Sequence, residues 1–396
     1  MKIVEINMMN YGSTGKIMIQ IAECARKHGH EAWVVYPDSH DCIGKSVDNS
    51  ILIGNKFTRV FHINFAKITG YNGCLSVSST TNLLRKLKKI NPDIIHLHNL
   101  HNCYINLPML FNYIKKNNIR TIWTLHDCWS FTGQCPHFML AKCDKWKTGC
   151  HDCKTYREYP PSYVDRTKTM WKLKKKWFTG VKDMTIVTPS QWLADLVKES
   201  YLKEYPVKVI NNGIDLSVFK PTQSDFKKKY NCEEKFVILG VANVWDYKKG
   251  LDVFIELANR LDEHKYQIVL VGTDDNVDKQ LPEKIISIHR TNNQAELAEI
   301  YSAADLLLNP TREDTFPTVN IESLACGTPV FTFKTGGSPE IIDETCGRIF
   351  NVDDIDSLEN EIYHIASNNI LDSDSCVVKA GNYNCHERFC DYVNLY

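Results

Sequence analysis

Short, continuously apolar runs alternate with segments of helical periodicity along most of this 396-residue chain. Such runs are typical of parallel strands that are buried on both faces of a sheet, with helices as the connections between them. The first half of the sequence therefore predicts a doubly wound α/β domain. Its strands are predicted at residues 2–7, 31–36, 93–98, 121–126 and 185–189, and its helices at 16–28 and 82–89.

The same alternation restarts in the second half of the chain, after a turn-rich connector at residues 212–215. A chain of this length can bury two cores, so we predict two Rossmann-like domains, residues 1–205 and 206–375. The second domain is predicted to contain strands at 236–243, 267–272, 285–289, 306–310 and 330–334, and helices at 250–261 and 294–303.

Charge and composition exclude several classes of function. The 47 basic and 47 acidic residues balance, so no overall field draws the protein to nucleic acid. Glu5 interrupts the first apolar run, which indicates a buried strand and not a signal peptide, and no run reaches the length of a membrane span. Fifteen cysteines without an export signal indicate a reducing compartment, and we expect the cytoplasm.

Glycines that follow the strands are candidates for ligand contact, because ligands of open α/β sheets bind outside the carboxyl ends of the strands. The stretch from Gly12 to Lys16 follows the first strand, but Ile17 stands where a phosphate loop needs Ser or Thr. We expect a glycine loop whose amides, including that of Gly15, face a ligand. A tight turn without a ligand is the alternative.

A second pair of glycines follows the last predicted strand. Gly336 and Gly337 precede Ser338, the predicted N-cap of a helix, and Pro339, its predicted first residue. Amides at a helix start, together with the helix dipole, favour a diphosphate. A plain turn is the alternative.

Charged residues follow other strands of the second domain. Asp314, in a predicted loop, and Glu322, on a predicted short helix, can accept hydrogen bonds from sugar and ribose hydroxyls. Lys248 and Lys249 can neutralise phosphate. Each pair alone is equally typical of a solvated surface, but together with the glycines they supply phosphate, ribose and sugar contacts at the strand ends of one domain.

These motifs carry a family resemblance that covers nearly the whole chain. Residues 245–250, 314–330 and 336–340, with the 212–215 connector, resemble family 4 retaining glycosyltransferases of GT-B fold. Residues 124–133 and the cysteines beyond them resemble exopolysaccharide transferases of the colanic-acid type. The resemblance implies an acceptor-binding first domain and a donor-binding second domain facing across a cleft, with residues 376–396 crossing back to the first domain.

The resemblance also implies roles for single residues of the second domain. Glu322 would hold the ribose hydroxyls, Lys249 the donor phosphates, and the amides of Gly336 and Gly337 the diphosphate or the sugar. Asp314 stands where the family usually has Glu, so its shorter side chain reaches less far towards the sugar.

One donor-side position departs further from the family. Asn243 stands where an arginine is usual, and Lys248 would have to replace that cation. In the first domain, His126 would lie next to the transferred sugar; a core histidine at a strand end is the alternative. His96 and His98 follow another strand, and we expect smaller effects from them. The predicted catalytic residues are therefore His126, Asp314 and Glu322.

Two further features stand outside this site. Four cysteines form a dense group in which structural zinc, free thiols and a disulfide all remain open: Cys135, Cys143, Cys150 and Cys153. Residues 166–178 interleave lysines with aromatic side chains and Met170, a composition that can lie on an anionic membrane, although we favour a solvated helix on the first domain.

The sequence thus predicts a retaining, metal-independent hexosyltransferase that needs no cofactor beyond its substrate. The donor would be a UDP- or GDP-linked sugar, and the acceptor a polysaccharide or lipid-linked glycan of exopolysaccharide or capsule synthesis. The protein would be cytoplasmic, with peripheral contact at the inner face of the membrane. The alternatives are a nucleotide-sugar epimerase of the same architecture and a catalytically silent, zinc-clipped protein that binds glycans or acts as a scaffold.

Overall fold

The computed structural model describes residues 1–38, 42–44, 46–368 and 370–396, and these residues divide into two compact units. The first unit contains Met1–Asn211 and Phe389–Tyr396, and the second contains Asn212–Arg388. The predicted boundary at 205 and 206 thus lies a few residues before the observed one. Of the segment 376–396, only Phe389–Tyr396 belong to the first unit.

A parallel sheet of seven strands forms the centre of the first unit, in the order β3-β2-β1-β4-β5-β6-β7. All five strands predicted for this half are present. The two edge strands, β3 and β7, are additional to these five. The strands are β1 Lys2–Ile6, β2 Glu31–Pro37, β3 Ser50–Ile53, β4 Ile94–Leu97, β5 Arg120–Thr124, β6 Met184–Thr188 and β7 Val207–Val209.

Within the described residues, six α-helices connect these strands, and the first begins earlier than predicted. Helix α1 starts at Gly12, so Gly12 and Gly15 lie in its first turn and not in a loop. A Cβ on Gly15 would lie 2.6 Å from the carbonyl carbon of Asn10, which explains the glycine. The helices are α1 Gly12–Lys27, α2 Lys56–Thr69, α3 Val77–Ile90, α4 Leu107–Asn117, α5 Thr167–Phe178 and α6 Gln191–Glu199.

Helix α5 packs its apolar side chains into the core of the first unit. Met170, Trp171 and Phe178 are buried, and the Phe178 ring lies 4.6 Å from that of Phe111 and 4.8 Å from that of Trp123. Those three side chains are therefore not available to a membrane surface, and membrane contact through the rest of residues 166–178 stays a prediction. Within the described ranges, no helix is both long and apolar enough to cross a bilayer.

The second unit contains a parallel sheet of six strands in the order β10-β9-β8-β11-β12-β13. The five strands predicted for this half are present, and β13 is an additional edge strand. Apolar cores cover both faces of the sheet. The strands are β8 Phe236–Val241, β9 Tyr266–Val271, β10 Ile286–Ile288, β11 Leu306–Asn309, β12 Val330–Phe333 and β13 Gly347–Phe350.

The helices of this half include the four that were predicted, α8, α10, α11 and α12. A last helix, α15, begins in the second unit and ends in the first. Their bounds are α7 Phe226–Lys229, α8 Leu251–Arg260, α9 Asp275–Asp278, α10 Gln294–Ala303, α11 Thr318–Ala325, α12 Ser338–Ile341, α13 Ile355–Asn368, α14 Ser373–Gly381 and α15 Cys385–Val393.

Candidate functional site

Each sheet has one point at which the strand order reverses direction, and ligands of doubly wound folds bind at that point, outside the carboxyl ends of the strands. In the second unit the reversal lies between β8 and β11, and in the first unit between β1 and β4. The candidate residues of the sequence fall on the loops that leave these strands and their neighbours.

Two ion pairs join the loops after β8 and β11 in the second unit. Lys249 Nζ donates to Asp314 Oδ2 over 2.8 Å, and Lys248 Nζ lies 3.3 Å from Glu313 Oε2. The Asp314 and Lys249 side chains are 22% and 35% exposed, so both remain partly open to solvent. Two predicted donor-site residues thus contact one another directly at the switch point.

A buried arginine next to these loops is held by an aromatic ring and two carboxylates. The Arg312 guanidinium lies 3.8 Å from the Tyr247 ring centre and pairs with Asp252 over 2.8 Å and with Asp353 over 2.6 Å. The Arg312 side chain is only 2% exposed, so it does not replace the ligand-facing arginine expected at Asn243. Sequence reasoning missed this residue, because its two carboxylate partners are distant in the chain.

Glu322 lies on α11, the short helix predicted there, and is held by a buried phenol. Tyr301 donates to Glu322 Oε2 over 3.0 Å. Burial, and then the negative charge of Glu322, raise the pKa of Tyr301 well above its usual range, so the phenol remains a donor. The half-buried Glu322 carboxylate is thereby fixed in position with further capacity to accept hydrogen bonds.

Gly336 lies directly against the Asp314 loop. It has a φ of 55°, and a Cβ there would lie 1.7 Å from the Asp314 carbonyl oxygen, so no other residue fits. The Gly337 N–H donates to the Thr315 carbonyl over 3.1 Å. That amide, predicted to hold diphosphate, is therefore engaged within the protein in this structure.

The N-cap predicted at Ser338 is wrong. Gly337 occupies the cap position of α12, and Ser338 is the first helical residue. The Ser338 hydroxyl instead accepts from Asn320 over 2.9 Å and lies 2.8 Å from the Thr332 hydroxyl, within a buried polar network that Asn309 completes. This network ties α11, β11, β12 and α12 together, and no local sequence signal marks it.

In the first unit, the loops after β1 and β4 are joined by Asn7. Its Oδ1 accepts from the Asn99 N–H over 3.2 Å, and its Nδ2 donates to Thr14 Oγ1 over 3.3 Å. Because Asn7 is fully buried, these bonds fix the entry of α1 beside the β4 loop. Gly15 is buried in this first turn, and the contact of its amide with a ligand stays a prediction.

His126 lies two residues beyond β5 and belongs to a chain of hydrogen-bonded side chains. Its Nε2 lies 3.1 Å from His98 Nδ1, and His98 Nε2 lies 2.8 Å from Glu5 Oε2. Burial, reinforced by neighbouring histidines, lowers the pKa of His126 to about 3. Burial also lowers the pKa of His98 to about 4, so both imidazoles are neutral at physiological pH.

Glu5 forms the centre of this buried cluster. Tyr396 donates to Glu5 Oε1 over 2.6 Å, and His96 Nδ1 lies 3.1 Å from Oε2. Burial alone would raise the pKa of Glu5, but the charge interaction with His96 and hydrogen bonds from His96 and His98 lower it to about 2. The sequence indicated only that Glu5 was an acid within a buried strand.

The four cysteines line one cavity of about 180 Å³ in the first unit, and no disulfide joins them. Only two clusters in the described part of the chain bring three metal-ligating atoms within 4.8 Å of one another, and both lie elsewhere, at Glu5 and at Asp278. The four sulfur atoms therefore do not form a ready-made tetrahedral site, and the zinc assignment stays a prediction.

A buried lysine lies close to these thiols. Lys174 is fully buried, donates to the Thr132 carbonyl over 2.9 Å and lies 3.6 Å from the Trp129 ring centre. Burial lowers the pKa of its ammonium group to about 7, a shift that Cys150 and Cys135 oppose. Negative charge on these sulfur atoms would therefore stabilise the charged lysine.

Two doubly wound units, each with its polar cluster at a switch point, have the architecture of the GT-B glycosyltransferases. Sucrose-phosphate synthase from Thermosynechococcus elongatus superposes with a TM-score of 0.74 at 16% identity, covering 100% of this chain and 98% of that one. HepE of Anabaena, solved in complex with UDP, superposes with a TM-score of 0.71 at 14% identity, covering 100% and 99%.

The chain belongs to glycosyltransferase family 4, whose model matches residues 14–218, and a model of group 1 glycosyl transferases matches residues 235–368. Over 276 residues it is 26% identical to WcaC of Escherichia coli K12, a protein assigned as a glycosyl transferase of colanic acid biosynthesis. That match covers 67% of this chain and 65% of WcaC, so the chain spans slightly less than two thirds of its relative.

Proposed function

We propose that this protein is a retaining, metal-independent glycosyltransferase that moves a hexose-type unit from a UDP- or GDP-linked sugar to a polysaccharide or lipid-linked glycan. The observation that carries the proposal is the pairing of Lys249 with Asp314 at the switch point of the second unit, beside Gly336. This pairing brings an ammonium group and a carboxylate together beside the glycine backbone, in one partly exposed cluster.

The lysines are the groups suited to the donor diphosphate. In the free protein each is balanced by an acid, Lys249 by Asp314 and Lys248 by Glu313. A diphosphate would share Lys249 with Asp314, and the released carboxylate oxygen could then accept from a sugar hydroxyl. In this proposal the two ammonium groups donate hydrogen bonds to the departing nucleoside diphosphate and stabilise its developing charge without a metal ion.

The remaining donor contacts follow from the neighbouring loops. Glu322, oriented by Tyr301, is placed to accept from the ribose hydroxyls. Asn243, which is exposed just beyond β8, is assigned to the donor side as a neutral hydrogen-bonding group. His126 is assigned to the transferred sugar as a neutral imidazole, because its low pKa prevents it from carrying charge at physiological pH.

The relatives favour a UDP donor and an exopolysaccharide product. HepE binds UDP, and WcaC is assigned to colanic acid synthesis. The fifteen unbridged cysteines suit a reducing, cytoplasmic setting.

Helix α2 is the better candidate for the peripheral membrane contact. Phe57 and Phe61 are 86% and 64% exposed, and the helix contains basic but no acidic residues. Co-sedimentation with phosphatidylglycerol vesicles should be lost in Phe57→Ser/Phe61→Ser and retained in Lys172→Ser, a change at an exposed lysine of α5. Equal binding by both variants would contradict this assignment.

The test of the activity is a donor screen with the purified protein in the presence of EDTA. UDP- and GDP-linked hexoses are offered with a lipid-linked glycan, and release of nucleoside diphosphate is followed together with the anomeric configuration of the product by NMR. Glycosylated acceptor with the configuration of the donor is expected. Conversion of the sugar nucleotide without acceptor would instead identify an epimerase, and UDP binding without turnover a silent binding protein.

A further inference from the structure

The hydrogen-bond chain from Glu5 to His126 determines which nitrogen of His126 carries a proton. We infer that Glu5, acting through His98, holds His126 as the Nε2–H tautomer, so that His126 presents Nδ1 as a hydrogen-bond acceptor. Glu5 and His98 are then positioning residues. The role of His126 towards a sugar rests on the proposed function, whereas the tautomer itself does not.

The first step is the charge of the carboxylate. Glu5 is fully buried, yet three side chains can donate to it: Tyr396 over 2.6 Å, His98 over 2.8 Å and His96 over 3.1 Å. Such a set stabilises an ionised carboxylate, which can only accept hydrogen bonds. The nitrogen of His98 that faces Glu5, Nε2, must therefore carry its proton.

The second step concerns which nitrogen of each imidazole carries the proton. A neutral imidazole has one protonated nitrogen, so His98 Nδ1 is an acceptor once Nε2 is protonated. His126 Nε2, at 3.1 Å from that nitrogen, must then be the donor. The His98 ring cannot turn freely, because it stacks on His96 at 4.4 Å and on His126 at 5.4 Å.

A hydrogen bond to the main chain also fixes the position of His98. Trp123 Nε1, on β5, donates to the His98 carbonyl over 3.0 Å, and this bond is buried. The short loop after β4 is therefore fixed to the strand that leads to His126. The chain of three groups is thus a rigid feature of the sheet edge.

This tautomer restricts the chemistry of His126. With Nδ1 unprotonated, the ring can accept a hydrogen bond from a sugar hydroxyl, but it cannot donate from that atom to a departing phosphate oxygen. His98 also ceases to be a neutral comparison for His126, since any change at His98 alters the proton on its neighbour.

The tautomer can be read from two-bond 1H–15N correlation spectra of protein labelled with 15N-histidine, with His126 assigned from the His126→Gln spectrum. An unprotonated Nδ1 and a protonated Nε2 are expected in the wild type. In Glu5→Gln, the side-chain amide can donate to His98, so the Nδ1–H form of His126 should gain population. Tyr396→Phe removes a donor to the other oxygen of Glu5 and should leave the tautomer unchanged.

An Nδ1–H tautomer in the wild type, or the same tautomer in wild type and Glu5→Gln, would overturn the inference. Turnover is scored separately. Glu5→Gln should lower kcat by about 10- to 100-fold at little change in UDP affinity, the range for losing a partner that orients a functional histidine. A shifted tautomer with normal kcat would confirm that Glu5 controls the proton on His126, but it would remove His126 from the proposed reaction centre.

Discussion

At the scale of single residues, the proposed donor-side cluster of the second unit contains two ion pairs that already balance one another. Lys249 and Asp314 pair at the switch point, while Glu322 is oriented by a buried phenol from α10. Preformed geometry of this kind suits transition-state binding, because little reorganisation is needed when charge develops on the leaving group.

Truncation of these side chains should therefore affect turnover directly. Glu322→Ala and Lys249→Ala should each cost about 2–5 kcal/mol of transition-state stabilisation, with Lys249 at the lower end because it is 35% exposed. The measurement is kcat/KM for donor turnover, with circular dichroism to check folding. Lys265→Ala, an exposed lysine before the amino end of β9, is the matched control. Folded variants with wild-type kcat/KM would refute the donor-site assignment.

At the scale of elements, the close approach of the Gly336 turn to the Asp314 loop sets the shape of the site. Gly336→Ala should destabilise the protein by on the order of 1–3 kcal/mol, through the positive φ and the contact with the Asp314 carbonyl. UDP affinity should fall as the loop shifts. Denaturant unfolding and calorimetric titration with UDP measure the two effects.

The matched control for that substitution is Gly381→Ala, at the end of α14, where an added Cβ meets nothing within 4 Å. It should be neutral or slightly stabilising and should leave UDP affinity unchanged. Equal behaviour of the two alanine variants would show that the turn tolerates a side chain and that the loop contact is not essential.

Whether the four cysteines of the first unit bind a zinc ion is also a question at the scale of elements. One zinc ion bound by Cys135, Cys143, Cys150 and Cys153 would carry two negative charges in total and so provide a counter-charge for buried Lys174. Metal analysis of protein purified without chelator should find about one zinc per chain. Replacement of Cys150 and Cys153 by serine should remove it, while replacement of Cys232 in the second unit should not. Four titratable thiols and no metal would instead identify free cysteines.

At the scale of the whole molecule, the chain returns to the first unit at its last described helix. Phe389 and Tyr392 are buried there, and Arg120 donates to the Leu395 carbonyl over 2.7 Å. Tyr396 also completes the donor set around Glu5. The returning segment is therefore part of the core that holds the histidine chain.

Removal of a buried aromatic ring from this segment should be costly. Tyr392→Ala should lower the free energy of unfolding by about 3–5 kcal/mol, because a large cavity forms in the core. Tyr163→Ala, at a tyrosine that is 69% exposed, should change it by less than about 0.5 kcal/mol. Chemical denaturation followed by tryptophan fluorescence compares the two. Similar losses in both would mean that the segment does not stabilise the first unit.

The local sequence was sufficient for the ten predicted strands and for the division into two α/β units, because buried parallel strands need continuous apolar runs and their crossovers need helical periodicity. It also brought Lys249, Asp314, Glu322 and His126 to attention, since polar residues that follow such strands must lie at one edge of a sheet.

Tertiary structure alone decided what those residues contact. Lys249 meets Asp314 across 65 positions of sequence, His126 meets His98 across 28, and Tyr396 meets Glu5 across 391. Three further features could not be predicted from the local sequence. They are the burial of the α5 side chains, the hydrogen bond that engages the Gly337 amide, and the place of Ser338 in a buried network. Local periodicity reports which face of an element is apolar, whereas partners are set by strand order, which follows from packing of the whole sheet.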